Sequence, residues 1–275
     1  MNSVKIADHM PLIYTPSFWD PAKTYQKYEP DIEGAKLEGA EYARKHGLEP
    51  AFKLLERPEG ASMAFLTDLQ HDFRPNGTND GSPVDAGYIQ PVYDPRGCVA
   101  YNKYLESTGQ APQWAFAQHC ELGTDGESFH PLIVEVVAFA SGLRSFVPGL
   151  VSKGHIMEWD WYGPLCSCGG YSEDPNIVPV ITHPQGGFQK DIVDGFKPYR
   201  TVEYFGVAED FCDYWMKRMA MWYFKGTDFL KKMVFVEDGT APIVPNAKHV
   251  IEQNKKARAE GVKFIKHDTP FVQSL

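Results

Sequence analysis

The chain has 275 residues, of which 43% are hydrophobic and 23% are charged, a composition typical of globular proteins. This length gives room for one large domain, or for one domain with an extension. The formal net charge of −9 argues against nucleic acid as the main partner, because phosphate binding requires a basic surface. No apolar run is long enough to span a bilayer, so no membrane partner is expected.

The cysteines and the N-terminus indicate a compartment. The five cysteines form an odd, irregularly spaced set, which favours a reducing, cytoplasmic location over a disulfide framework. No secretory signal is recognisable in the first residues. Cys166 and Cys168 could form half of a metal or redox site, but no second close pair accompanies them. We therefore interpret both as small packing residues.

Residues 1–60 contain no functional motif and are predicted to be an N-terminal extension of a main domain over residues 61–275. A helix is predicted from Asp31 to His46, ending at Gly47, and a second helical run over 50–56. Two roles remain open for the extension: packing on the main domain, or contacts within an oligomer.

From residue 61 onward, strand-like runs alternate with helix-like runs, which predicts an α/β fold with a parallel sheet and helices on both faces. The predicted strands are 62–67, 113–118, 201–207, 233–236 and 262–266. The predicted helices lie near 97–107, 131–144, 210–224 and 246–260, the last between Asn246 as N-cap and Gly261 as C-cap. A further parallel strand is predicted at either 146–152 or 177–182.

Cys212 is the first candidate catalytic residue. It follows the predicted strand 201–207 and the segment Gly206-Val207-Ala208, and it precedes a predicted helix. A thiol at a helix N-terminus faces free backbone N–H groups and the positive end of the helix dipole, which favour a thiolate. A thiolate is the nucleophile that a covalent hydrolase needs.

A second motif stands at the end of the predicted strand 62–67. Asp68-Leu-Gln70-His-Asp72-Phe73 places acidic residues at the carboxyl end of a strand, where open α/β sheets locate their chemistry. Together with Gly206-Val207-Ala208 and Cys212 downstream, this motif resembles the isochorismatase-like cysteine hydrolases, which include nicotinamidases. Segments 234–241 and 259–265 extend the resemblance, which covers roughly residues 61 to 272.

The resemblance implies roles for individual residues. Cys212 would be the nucleophile and Asp68 the base that takes its proton. A cis peptide would join Val207 to Ala208, and the N–H groups of Ala208 and Cys212 would form the oxyanion hole. A lysine would complete the triad: Lys153 fits best because it ends the possible strand 146–152 and is followed by glycine, as in the family; Lys190 is the alternative, and the lysine could also be missing.

The resemblance also implies a divalent metal, as in nicotinamidases. The family's Asp-x-His segment is replaced here by His119 and Glu121 in reversed order, and His130 is similar to a downstream histidine of the family. Imidazole and carboxylate ligands suit zinc, or iron or manganese. The alternative is that His119 lines the pocket and His130 lies in a turn, as in metal-free branches of the family.

The substrate implied by the resemblance is a small amide, with nicotinamide as the leading candidate. Phe73, Trp159 and Trp161 could stack on a pyridine ring, although surface packing also accounts for the two tryptophans. The alternatives are a metal-free amide or carbamoyl hydrolase, a non-catalytic family member acting as a binding module, and a thiol-based redox role. The family habit predicts a homo-oligomer.

Overall fold

The protein is described here from a computed structural model, for residues 14–20, 22–23, 26–48, 62–69, 95–107, 128–151, 153, 162–165 and 188–266. The strands are β1 (Ser62–Thr67), β2 (Thr201–Val207), β3 (Met233–Ala241) and β4 (Lys263–Ile265). The helices are α1 (Ile32–His46), α2 (Pro95–Ser107), α3 (Pro131–Arg144), α4 (Lys190–Asp194), α5 (Cys212–Tyr223) and α6 (Lys248–Ala259). A 3-10 helix, Asp228–Lys232, leads into β3.

The strands form one four-stranded sheet in the order β1-β2-β3-β4, and every neighbouring pair is parallel. This is the predicted fold class. The bounds of β1 and β2 coincide with the predicted strands, whereas β3 continues to Ala241, beyond its predicted end at Val236. The predicted strands 113–118 and 177–182 lie outside the described residues, as does the predicted helix 50–56.

The predicted strand 146–152 is wrong over its described part, because residues 146–151 form no strand. Pro148 has no N–H to donate to a sheet ladder, and Val147 and Leu150 remain 88% and 78% exposed. Residues 146–151 therefore form an irregular segment after α3.

The main core lies between the sheet and α5. Met216, Met219 and Ala220 of α5 belong to the same buried cluster as Val202 and Tyr204 of β2. The first four residues of β3, Met233–Val236, are all buried, and alternate residues of a strand point to opposite faces. Both faces of β3 are therefore covered, as expected for a parallel sheet.

Helices α1 and α3 pack with their backbones in contact. A Cβ atom on Gly39 would lie 2.1 Å from the Phe139 carbonyl oxygen, and one on Gly142 would lie 1.9 Å from the Lys36 oxygen. The two glycines are therefore required for this close crossing. Helix α1 begins after Asp31 and ends at Gly47, as predicted. It packs on helix α3.

The start of α6 differs from the prediction. Asn246 is not the N-cap: its φ is 60°, the cap position is Ala247, and no side chain caps the helix. At the other end the C-cap is Glu260, one residue before the predicted Gly261, whose φ of 91° suits glycine. Among the helices described, none combines the length and the apolar character needed to cross a membrane.

Candidate active site

Asp68 lies at the carboxyl end of β1, in the left-handed region with φ of 49°. The neighbouring strand approaches closely here, because Thr67 pairs with Gly206 of β2. Gly206 has φ of 136°, and a Cβ on it would lie 2.1 Å from the Thr67 carbonyl oxygen. Only glycine allows β2 to pass the end of β1 at this distance, which places the Asp68 carboxylate beside the turn that follows β2.

That turn carries the candidate nucleophile. The peptide bond between Val207 and Ala208 is cis, at the position that the resemblance indicated. The Ala208 carbonyl oxygen accepts hydrogen bonds from the N–H groups of Phe211 and Asp213, both at 3.1 Å. These bonds lead directly into α5, whose first residue is Cys212, a buried free cysteine.

Lys153 joins the other two residues. Its ammonium donates hydrogen bonds to the Asp68 carboxylate and, at 3.0 Å, to the Tyr162 carbonyl oxygen. The Cys212 thiol interacts with both the Asp68 carboxylate and the Lys153 ammonium. Lys190, the alternative lysine, instead faces Asp194 at 3.7 Å with its side chain 67% exposed. Asp68, Lys153 and Cys212 thus form one cluster, and Lys190 lies outside it.

Burial and charge set the protonation of this cluster. Burial alone would lower the pKa of the Lys153 ammonium, but Asp68 and then Cys212 more than reverse this, so the pKa is raised. Burial, followed by the Asp68 charge, raises the pKa of the Cys212 thiol, while Lys153 opposes the shift. The resting thiol is therefore neutral, contrary to the thiolate expected from its position at a helix N-terminus.

Two backbone N–H groups at the turn before α5 are the candidate oxyanion donors. In the part of the chain that is described, the N–H groups of Ala208 and Cys212 donate to no main-chain carbonyl. Both N–H groups flank the turn from which Cys212 projects, where an oxyanion formed on a bound carbonyl would need them. Tyr162 lies beside the same turn, because its ring packs edge-on against Phe211 with centroids 5.6 Å apart.

His130 has a role other than the predicted metal ligand. It is the buried N-cap of α3, where its ring Nδ1 accepts a hydrogen bond from the Leu132 N–H at 3.2 Å. The backbone N–H of His130 donates to the Leu69 carbonyl oxygen at 3.0 Å. A neutral imidazole has one nitrogen lone pair, and the helix cap uses it. His130 therefore does not fit a metal ligand in this arrangement.

The other predicted site residues lie outside the described part of the chain: His119, Glu121, Phe73, Trp159 and Trp161. Among the residues that are described, no group of three or more potential ligands could hold a metal ion.

Two buried charged residues close to the candidate nucleophile, Asp213 and Lys217, were not predicted from the sequence. Their ion pair spans 2.5 Å between Nζ and Oδ2, and their side chains are 0% and 5% exposed. An acid four residues before a lysine on a helix was the available signal. A third missed residue, Thr240, contacts Asp213 from β3.

Comparison with known proteins gives structural likenesses only. No family model matches the chain, and no curated protein matches it. PnC1 from L. infantum, in complex with nicotinate, is 17% identical, with 77% of this chain and 95% of that chain covered and a TM-score of 0.42.

Two further solved structures are similar at the same level. The pyrazinamidase of Pyrococcus horikoshii, in complex with zinc, is 17% identical over 76% of this chain and 99% of that chain, with a TM-score of 0.39. A nicotinamidase pyrazinamidase of Acinetobacter baumanii is 15% identical over 78% of this chain and 99% of that chain, also with a TM-score of 0.39.

Proposed function

We propose that the protein is a cysteine-dependent amidohydrolase that cleaves a small amide through a thioester. The observation that carries this proposal is the convergence of Cys212, Asp68 and Lys153 from three separate segments of the chain. A nucleophile beside a base, with the base held by a third group, is the arrangement that covalent catalysis requires. The sequence resemblance to isochorismatase-like hydrolases supports the same reading.

Acylation begins with the neutral thiol. The Asp68 carboxylate takes the Cys212 proton as the sulfur attacks the carbonyl carbon of the amide, and the carbonyl π electrons move to oxygen. The N–H groups of Ala208 and Cys212 donate to this oxyanion. The C–N bond then breaks, and protonated Asp68 gives its proton to the leaving nitrogen, which departs as ammonia from a primary amide.

Deacylation uses the same residues. Asp68 takes a proton from water as the water oxygen attacks the thioester carbonyl, and the C–S bond breaks in the collapse of the second tetrahedral intermediate. The proton on Asp68 returns to the sulfur. Lys153 stays charged throughout, because its raised pKa keeps it an ammonium, and it holds the Asp68 carboxylate in place through the hydrogen bond between them.

Nicotinamide is the proposed substrate, giving nicotinate and ammonia. The support is the sequence resemblance and the aromatic residues of the site: Tyr162 and Phe211 contact one another beside Cys212. Phe73, Trp159 and Trp161 are the proposed stacking residues for the pyridine ring. Zinc, or iron or manganese, would polarise a bound group if His119 and Glu121 held it, but no step of this mechanism requires a metal.

A second candidate is a metal-free amide or carbamoyl hydrolase. The observation that favours it is the use of His130 as a helix cap rather than as a ligand. A non-catalytic binding module is the weaker reading, because such a module has no need for a lysine, an aspartate and a cysteine in mutual contact at a helix N-terminus.

Ammonia release from nicotinamide tests the proposal, measured for the wild type and for Cys212→Ala, with and without a chelator. Activity that is lost in the variant but survives the chelator would support the metal-free mechanism. Loss in both cases would support the cysteine and add a metal. No ammonia from the wild type would contradict the nicotinamide assignment, and the same assay on other primary amides and carbamoyl compounds would then test the broader class.

A further inference from the structure

We propose that Asp213 and Thr240 are positioning residues that hold the turn presenting the Ala208 N–H to a substrate oxyanion. This inference rests on the proposed amidohydrolase function and assigns roles to two residues outside the triad. Neither residue needs to touch the substrate, because both act on the backbone between Gly206 and Cys212.

Asp213 holds this turn through its main chain. Its N–H donates to the Ala208 carbonyl oxygen at 3.1 Å, and the Phe211 N–H donates to the same oxygen at the same distance. The peptide plane that follows Ala208 is therefore fixed from the helix side, immediately after the cis bond. Any rotation of that plane would also reorient the adjoining Ala208 backbone.

Thr240 holds the other end of the turn. Its hydroxyl lies 2.7 Å from the Gly206 carbonyl oxygen and 3.2 Å from the Asp213 Oδ2, so its single proton lies between two acceptors. The hydroxyl thus links the backbone just before the cis bond to the side chain just after the nucleophile. Asp213 reaches the turn twice, once through its N–H and once through Thr240.

Lys217 fixes the Asp213 carboxylate. The ammonium lies 2.5 Å from Oδ2 and 4.8 Å from the centre of the Phe235 ring, and it is almost completely buried. The second carboxylate oxygen, Oδ1, is buried and has no hydrogen-bond partner in the described structure. A buried carboxylate with one unpartnered oxygen is costly to keep, and a buried ion pair is weak evidence for stability. Both points favour a role in the site.

The other charged groups near Asp213 are carboxylates, so Lys217 is the residue that holds the Asp213 carboxylate. Two other carboxylates interact with this pair: Asp68, at the end of β1, acts on Asp213, and Glu209, in the turn, interacts with both Asp213 and Lys217. The Asp210 carboxylate in the same turn accepts hydrogen bonds from the backbone N–H groups of Ile243 and Val244, at 2.8 and 2.7 Å. Lys217 therefore carries the positive charge that keeps Asp213 aimed at Thr240.

Thr240→Val is the sharpest test, because it removes the hydroxyl at nearly constant volume and leaves the ion pair in place. Three quantities are measured for the wild type, Thr240→Val and Asp213→Asn: turnover of nicotinamide, the rate of Cys212 labelling by iodoacetamide, and protection of Cys212 from labelling by pyridine-3-carbaldehyde. Labelling displaces iodide without forming an oxyanion. The aldehyde adds to the thiol and does form one, so its protection reports on the backbone donors.

For Thr240→Val we expect kcat to fall at least tenfold with KM within twofold, and the aldehyde concentration for half protection to rise at least tenfold. The labelling rate without aldehyde should stay within twofold. Asp213→Asn should weaken protection in the same direction, and the exposed control Asp228→Asn should change none of the three values.

Two outcomes separate the failures. A wild type that is protected by the aldehyde but hydrolyses no amide would sink the proposed function while the protection data still test the turn. Protection that is equal in the wild type and in a folded Thr240→Val would overturn the positioning role, whatever the substrate.

Discussion

Two Lys–Asp ion pairs lie near Cys212, and they differ in burial and in how far apart their residues lie in the chain. Lys153 and Asp68 come from distant parts of the chain, and their side chains remain 23% and 9% exposed. Lys217 and Asp213 lie four residues apart on one helix and are 5% and 0% exposed. The first pair contacts the thiol and is accessible from outside, whereas the second is sealed behind the nucleophile.

The difference in exposure suits a proton-transfer role for the Lys153–Asp68 pair and a positioning role for the Lys217–Asp213 pair. In the proposed mechanism Asp68 is the base and must exchange protons with substrate and water, which requires access to solvent. A positioning pair gains by excluding water, because a low local dielectric strengthens its interactions and fixes their geometry. The two pairs share their charges and residue types, and they differ in solvent exposure and in how far apart their residues lie in the chain.

Substitutions that break the Lys153–Asp68 pair should have the strongest consequence of all, a loss of activity. Asp68→Asn removes the base, and Lys153→Met removes its anchor, so each should lower kcat by about a thousandfold or more. Combining either change with Cys212→Ala should add little, because residues acting as one unit are not additive. Steady-state ammonia release checks this, with circular dichroism confirming that each variant folds. A loss below tenfold in Asp68→Asn would contradict its role as base.

Breaking the Lys217–Asp213 pair should next lower the stability of the folded protein. Lys217→Met leaves the Asp213 carboxylate buried without its partner, which should cost about 3–5 kcal/mol of unfolding free energy. The double variant Asp213→Leu with Lys217→Met removes both charges and should recover most of that loss. Urea denaturation measures both values.

Activity distinguishes the double variant further. If the second pair positions the turn, the double variant should remain stable yet turn over slowly. The exposed Asp228–Lys231 pair is the control, since both of its residues lie on the surface and Asp228→Asn should leave the urea midpoint unchanged. A double variant as active as the wild type would remove the distinction between the pairs.

A smaller effect is expected at alkaline pH. The pKa of the Cys212 thiol is raised in the folded protein by burial and by Asp68, so the unfolded chain loses this proton first. The stability that this shift gives the folded protein is fully present below the pKa of the unfolded thiol, about 8.5. It is lost as pH rises toward the pKa of the thiol in the folded protein. Between pH 9 and 11 the wild type should lose about 1.4 kcal/mol per pH unit more than Cys212→Ala. Parallel stability curves would contradict the neutral buried thiol.

The sequence predicted the elements whose signals are local. Strands β1 and β2 and helices α1 and α3 lie where they were expected, because apolar runs and capping residues such as Asp31 and Gly47 define their ends. Asp68 and the turn that holds Cys212 lie together, since the carboxyl ends of the parallel strands β1 and β2 meet at one edge of the sheet. Lys153 reaches Asp68 from a segment that forms no strand in the described residues.

What the sequence did not predict depends on three-dimensional context. The role of His130 depends on which of its nitrogens meets the Leu132 N–H, a choice that only the fold determines. The raised pKa of the Cys212 thiol follows from burial and from the Asp68 charge, neither of which a helix N-terminal position reveals. The contact of Thr240 with both Gly206 and Asp213 depends on a register shift between β2 and β3, where the pairing moves from Tyr204–Phe235 to Gly206–Thr240.

In the proposed mechanism Cys212 carries the acyl group during amide hydrolysis. The most direct measurement is intact-protein mass spectrometry after rapid acid quench of the protein turning over nicotinamide, followed by peptide mapping. We expect a nicotinoyl adduct on Cys212 that appears with ammonia, decays as substrate is exhausted and is absent from Cys212→Ala. Ammonia release by Cys212→Ala at the wild-type rate, with no adduct on any cysteine, would contradict it.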